Sequence, residues 1–245
     1  SGPTAIAMGE KGDAFVWSQF ARQLTRIRSD KAEPLIDVPR TNTLSREWLA
    51  GRELFFTNGD PRISKDGRAC ANCHIDGADD GLTWKTPDGL RRTRLLRGEL
   101  ASGPYGWQGE HKTLKEHVVK TLENLKGKGL PEDDLSNLLI YVSQMKKPAT
   151  AKPESDIERG KQVFASAECS HCHLAGSTDR QLHDVGTGGN FMTPTLASAS
   201  TRRTLMHDGR FKTFDDMLAG TPYMGRGSTL EADDRKALAA YLETL

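Results

Sequence analysis

No apolar run in these 245 residues approaches the length of a bilayer span, and the start, Ser1-Gly2-Pro3, has neither the basic nor the apolar region of a signal peptide. A soluble chain with no membrane span is therefore expected. Charge of either sign is not in excess: 34 Lys and Arg stand against 33 Asp and Glu, with no long basic block. The phosphate neutralisation that nucleic-acid binding requires is missing, which excludes nucleic acid as a partner. Cysteine is scarce at four residues. The length suits two ordinary domains, since a typical domain runs to roughly 100–150 residues.

All four cysteines sit in two copies of one pattern, Cys70-Ala-Asn-Cys73-His74 and Cys169-Ser-His-Cys172-His173. Two disulfides or a zinc site would also use paired cysteines, but the histidine directly after each pair points elsewhere. In C-x-x-C-H, thiols about one helical turn apart bond the two vinyl groups of a haem and the adjacent imidazole reaches the iron. Two covalently bound haem c groups are expected, with His74 and His173 as the proximal ligands. Thioether attachment of haem takes place outside the cytoplasm. A periplasmic, extracellular or cell-surface location follows, with an export signal expected upstream of Ser1.

The two haem motifs are offset by 99 residues, from Cys70 to Cys169, and more than the motifs repeats. Trp107-Gln-Gly-Glu-His-Lys-Thr-Leu-Lys-Glu-His117 aligns with His207-Asp-Gly-Arg-Phe-Lys-Thr-Phe-Asp-Asp-Met217, and Gly51-Arg-Glu-Leu-Phe55 aligns with Gly160-Lys-Gln-Val-Phe164. This is an internal duplication. The expected fold is mainly α: a short β segment at 1–43, a first cytochrome c-like haem domain at 44–150 and a second at 151–245, joined by the linker Lys147-Pro-Ala-Thr-Ala-Lys-Pro153. Helices are expected behind the capping box Thr113-Leu-Lys-Glu116, behind Pro131, and at Leu238, Tyr241, Leu242 and Leu245, the last capped by Ser228. Long glycine-rich loops should follow each haem motif. In the β segment, Thr4–Met8, Ala14–Ser18 and Gln23–Ile27 read as three antiparallel strands.

From about Ser45 onward the chain resembles the bacterial di-haem cytochrome c peroxidase family, which includes the di-haem enzyme of methylamine utilisation. The residues that carry the resemblance are Gly51-Arg-Glu-Leu-Phe-Phe, Ser64-Lys-Asp-Gly, Trp107-Gln-Gly, Thr193-Pro-Thr-Leu and Met206-His-Asp-Gly-Arg210, together with the haem spacing. The opening strands are similar to the last blade of a β-propeller of the kind fused to such cytochromes. The resemblance implies a peroxide-reacting N-terminal haem, a C-terminal haem that receives electrons from a partner, and Trp107 between them. It also implies Met224, in Tyr223-Met-Gly-Arg226, as axial ligand of the second haem, with Met217, Met206 and Met192 as competitors.

The side of the first iron opposite His74 is open to His117 or His111. His117 falls near the apolar stripe of its helix, so it is preferred, either as a ligand or as a free acid/base in the pocket. His207 is expected near the second haem and Arg210 on a haem propionate. The sequence also departs from the peroxidases. Residues 75–110 contain no histidine, the region expected to hold the catalytic glutamate reads Leu125-Lys-Gly-Lys-Gly-Leu130, and the calcium position is occupied by Arg91-Arg92-Thr93-Arg94, which would repel a cation. Electron transfer with a redox partner protein is the leading expectation. Use of hydrogen peroxide at the first haem is the alternative, and a surface interaction protein is a third class resting on the opening strands alone.

Overall fold

The computed structural model describes residues 2–9, 11–39, 44–100, 103–146 and 157–245. The expected linker at 147–153, and residues 43, 150 and 151 at the expected domain boundaries, lie outside the described residues. Strands β1 (Pro3–Met8), β2 (Ala14–Ser18), β3 (Gln23–Arg28) and β4 (Lys31–Asp37) form an antiparallel sheet in sequence order. The three expected strands are present, and β4 is additional. Its Pro34 and its charged Lys31 and Glu33 obscure the strand pattern in the sequence, yet proline is tolerated because β4 lies at the sheet edge. The sheet meets the helical part through Phe20, whose ring is 5.5 Å from Phe56 and 5.0 Å from the Arg52 guanidinium.

The helical part is built twice on one plan. Helix α1 (Arg46–Phe56) is followed by α2 (Cys70–Cys73), the hairpin β5 (Thr83–Thr86) and β6 (Gly89–Arg92), then α3 (Leu114–Asn124) and α4 (Glu132–Ser143). Helix α5 (Ile157–Ser166) is followed by a single turn at Cys169–His171, the hairpin β7 (Leu182–Asp184) and β8 (Asn190–Met192), then α6 (Phe214–Gly220) and α7 (Ala232–Leu242). The hairpins stand where glycine-rich loops were expected. Isolated bridges repeat as well, Tyr105 with His111 and Leu205 with Phe211.

Helix α1 packs on α4, and α5 on α7, each crossing made possible by a glycine. A Cβ on Gly51 would lie 2.5 Å from the carbonyl carbon of Asn137, and one on Gly160 would lie 2.5 Å from the Cβ of Tyr241. Aromatic side chains fill the space beside each glycine: Tyr141 meets Trp48 at 5.0 Å and Phe55 at 5.3 Å, while Tyr241 meets Phe164 at 5.6 Å. Phe55, Leu138 and Leu238 are buried, each worth about 1.5–3 kcal/mol over an exposed position.

The helix ends follow local chemistry. Thr113 accepts from the Glu116 backbone at 3.1 Å and Glu116 accepts from the Thr113 backbone at 3.1 Å, closing the expected capping box. Helix α7 begins later than expected: Glu231 precedes its first residue, and Ser228 lies in a separate one-turn helix, Gly227–Thr229. The short spacing between Ser228 and Glu231 is used by that turn and not by α7.

Candidate functional site

A cavity of about 750 Å³ opens between α2, α3 and the α1–α4 pair. One face carries Cys70, Cys73 and His74, which the turn Cys70–Cys73 brings together because its hydrogen bond from His74 to the Cys70 carbonyl, 2.9 Å, puts residues three and four apart on one side. Asn72 pins the start of that turn by accepting from the Ala69 backbone at 2.7 Å. Helix α3 contributes His117, Val118 and Leu122 to the lining. His111 is outside the lining, its ring 5.2 Å from that of His117, and Tyr105 stacks on His117 at 6.2 Å.

Burial pushes His117 down to about 4, helped by the charges of Arg94, His111 and His74. Burial likewise lowers His74, with the backbone of Arg94 acting in the opposite direction. Both imidazoles are therefore neutral at pH 7, the form that binds a metal. The Nδ1 atoms of both rings are buried without a hydrogen-bond partner. Two thiols, two neutral imidazoles and an apolar wall fit a haem attached through Cys70 and Cys73.

A second cavity, of about 230 Å³, is lined by Cys169, Cys172 and His173 on one side. The methionines Met206, Met217 and Met224 also line it. His173 is pushed down to about 4, chiefly by burial. Its Nδ1 pairs with the Pro194 carbonyl at 3.1 Å, leaving Nε2 as the nitrogen available to a metal, the usual way an outer-shell carbonyl orients such a ring. These residues also fit a haem. His207 lines this cavity, with its ring 3.8 Å from Phe191. Arg210 lines neither cavity; its guanidinium is held by Asp208 at 2.6 Å and is 40% exposed.

Trp107, Met192, Thr193 and Pro194 line both cavities and so form a shared wall. The two repeats exchange the same backbone bond across it: Arg92 donates to the His207 carbonyl at 2.7 Å, and Met192 donates to the Trp107 carbonyl at 3.0 Å. Positions 92 and 192 are equivalent in the duplication, as are 107 and 207, so the pairing has the self-complementary form of a two-fold interface. The side chains at these positions have diverged. Trp107 has the guanidiniums of Arg92 and Arg94 each 5.0 Å from its ring, and His207 meets its edge at 6.3 Å.

The sequence at residues 157–245 matches the cytochrome c family. The match covers the second of the two attachment motifs, Cys169-Ser-His-Cys172-His173. The match supports covalently bound haem c at that motif. The chain's fold is similar to that of a hydrazine synthase chain of Kuenenia stuttgartiensis, at 20% identity and a TM-score of 0.75, over 87% of this chain and 93% of that one. It is also similar to a MauG-like protein associated with microbial copper homeostasis, at 19% identity and a TM-score of 0.62, over 85% of this chain and 91% of that one. No curated protein matches the chain. These likenesses agree with the resemblance to the bacterial di-haem cytochrome c peroxidases that the sequence motifs carry.

Sequence reasoning singled out His117, Trp107, Met224 and His207, and each lines a cavity. It missed Met192 as part of the shared wall, having weighed it only as a ligand. It also missed Arg202 and Glu99, which carry no motif.

Proposed function

We propose that the protein is a c-type cytochrome that carries two haem c groups and transfers electrons between a redox partner protein and an acceptor, from a periplasmic, extracellular or cell-surface location. In this reading the group attached at Cys169 and Cys172 is held by His173 and Met224, and the group attached at Cys70 and Cys73 by His74 and His117. The organisation is that of two tandem cytochrome c-like units with the four-stranded sheet beside the first. The observation that carries the reading is the pair of cavities, each with a C-x-x-C-H motif and a further candidate ligand, separated by one shared wall.

Bound haem supplies one-electron redox chemistry, with a potential set by its axial ligands and burial. The chain's own contribution is positional. Helix α3 presents His117 as a neutral imidazole, the Pro194 carbonyl fixes the tautomer of His173, apolar side chains of α1 and α4 keep water from the larger cavity, and Trp107 and Met192 keep the two cavities a side chain apart. A thioether at Met224 favours the reduced state, which suits the group that receives electrons.

A second reading, in which hydrogen peroxide is consumed at the first site, rests on His117, a buried neutral imidazole lining that cavity that could serve as acid/base in place of a ligand. The two readings are separated on half-reduced protein by adding peroxide while following the visible spectrum and the steady-state oxidation of a reduced donor. Slow, non-saturating oxidation with both haem groups low-spin is expected. Rapid, saturable donor oxidation would overturn electron transfer as the primary role and recast His117 as a displaceable or acid/base group.

A further inference from the structure

Behind the shared wall lies a cluster of five charged side chains, all of them largely buried. Arg202 pairs with Glu99 at 2.7 Å, Arg94 pairs with the other oxygen of Glu99 at 3.3 Å, and Arg92 stands 3.8 Å from Asp79. The side chains of Arg92 and Arg202 are each 4% exposed, those of Glu99 and Asp79 4% and 1%. Three guanidiniums thus face two carboxylates, a net single positive charge in a place where an unpaired charge is strongly disfavoured.

Backbone carbonyls take part of the surplus hydrogen-bonding capacity. Arg92 donates through Nε to Met206 at 2.7 Å, Arg94 donates to Gly106, and Arg202 donates to Thr195. The Nε of Arg202 is buried and has no partner. Burial, followed by the charge of Arg202, pulls Arg92 down to about 10. Burial alone would raise Glu99, but Arg202, Arg94 and Arg92 outweigh it and hold the carboxyl below its usual range. The cations are crowded, and the two carboxylates do not neutralise them.

Their placement says what does. Arg94 lines the larger cavity, and Arg92 and Arg202 line the smaller. We propose that Arg92, Arg94 and Arg202 form one anion-binding wall shared by the two sites, taking haem carboxylates from both sides. The inference rests on the reading of two haem groups and gives the propionate-binding role to this cluster in place of Arg210, which lines neither cavity. A guanidinium suits the task because its planar fork matches a carboxylate and it stays ionised when buried. The same two cations that meet Trp107 then belong to the cofactors' electrostatic frame, so their removal acts on both sites.

The test uses the haem-loaded protein and three variants: Arg202→Met, Arg202→Lys and Glu99→Gln. Haem content per chain, from the alkaline pyridine spectrum against protein concentration by amino-acid analysis, tests the two-haem reading separately. The reduction midpoints and the carboxylate bending bands in the resonance Raman spectrum then test the wall. Arg202→Met is expected to lower at least one midpoint by a tenfold change in its equilibrium constant, about 59 mV for one electron. Glu99→Gln should move a midpoint upward. Arg202→Lys, which keeps the charge but not the fork, should retain most of the potential and still shift the Raman bands.

Unchanged midpoints and bands in a folded, haem-loaded Arg202→Met protein would overturn the proposal, and an unmoved midpoint in Glu99→Gln would do so if Arg202→Met fails to fold. Wild-type midpoints that depend on inorganic phosphate at constant ionic strength would assign the wall to a free anion and overturn the haem-carboxylate assignment.

Discussion

Gly51→Ala changes one hydrogen to a methyl at the α1–α4 crossing, and two opposing effects decide its outcome. In an exposed helix interior the change would stabilise by about 1 kcal/mol, the difference in helix propensity. At Gly51 the new Cβ would lie 2.5 Å from the Asn137 carbonyl carbon and 3.0 Å from the Tyr141 Cβ, with the Asn137 carbonyl oxygen closer still. Carbon atoms pack at about 3.5–4.0 Å, so α1 and α4 must separate by about 1 Å. Neither obstacle is a flexible side-chain end. The separation loosens Trp48, Phe55 and Tyr141, which meet across this crossing, and overpacking of this kind costs about 1–3 kcal/mol, more where backbone must move.

The clash therefore wins, and a net loss of about 2 kcal/mol is expected, lowering the melting temperature of a chain this size by about 4–8 °C. Because Phe55 and Leu138 line the larger cavity, the haem spectrum should change, and under the two-haem proposal the change should be confined to the group attached at Cys70 and Cys73. Thermal and urea unfolding of the loaded protein, with Glu53→Ala on the exposed face of α1 as the control, checks the prediction. A Gly51→Ala protein as stable as the wild type, with an unchanged spectrum, would refute the close-packing argument.

Three further outcomes are expected. Met224→Leu should remove the methionine-ligated signature of one haem in the near-infrared spectrum, while Met217→Leu should leave it; the reverse result would move the assignment to Met217, which shares the cavity. Trp107→Phe should slow electron equilibration between the sites after flash reduction, since Trp107 lines both cavities; an unchanged rate would leave it as packing alone. Met192→Ala should also speed or slow that electron equilibration if the shared wall couples the sites, since Met192 lines both cavities beside Trp107, and a rate equal to that of the wild type would leave Met192 as packing alone.

What could be read directly from the chain is what depends on residues close together in sequence. The C-x-x-C-H pattern needs a single turn to bring its thiols and imidazole together, and the Thr113–Glu116 capping box needs three residues. The duplication is likewise visible as a repeated pattern, because both copies must solve the same packing problem at Gly51 and Gly160. Strand β4 was hidden because Pro34 breaks the strand pattern locally while the sheet edge tolerates it. The two hairpins were hidden by glycines that read as loop.

The sequence by itself determined the cofactor chemistry, the helical character and the twofold repeat, since each follows from local spacing. Only the tertiary structure decided what stands between the two sites. Arg92, Arg94, Glu99, Trp107, Met192 and Arg202 come from scattered segments of both repeats, and no local periodicity links them. Their grouping follows from the paired backbone bonds of residues 92 with 207 and 192 with 107. Those bonds turn one repeat to face the other, and burial then makes Glu99 and Arg202 depend on each other across 103 residues of sequence.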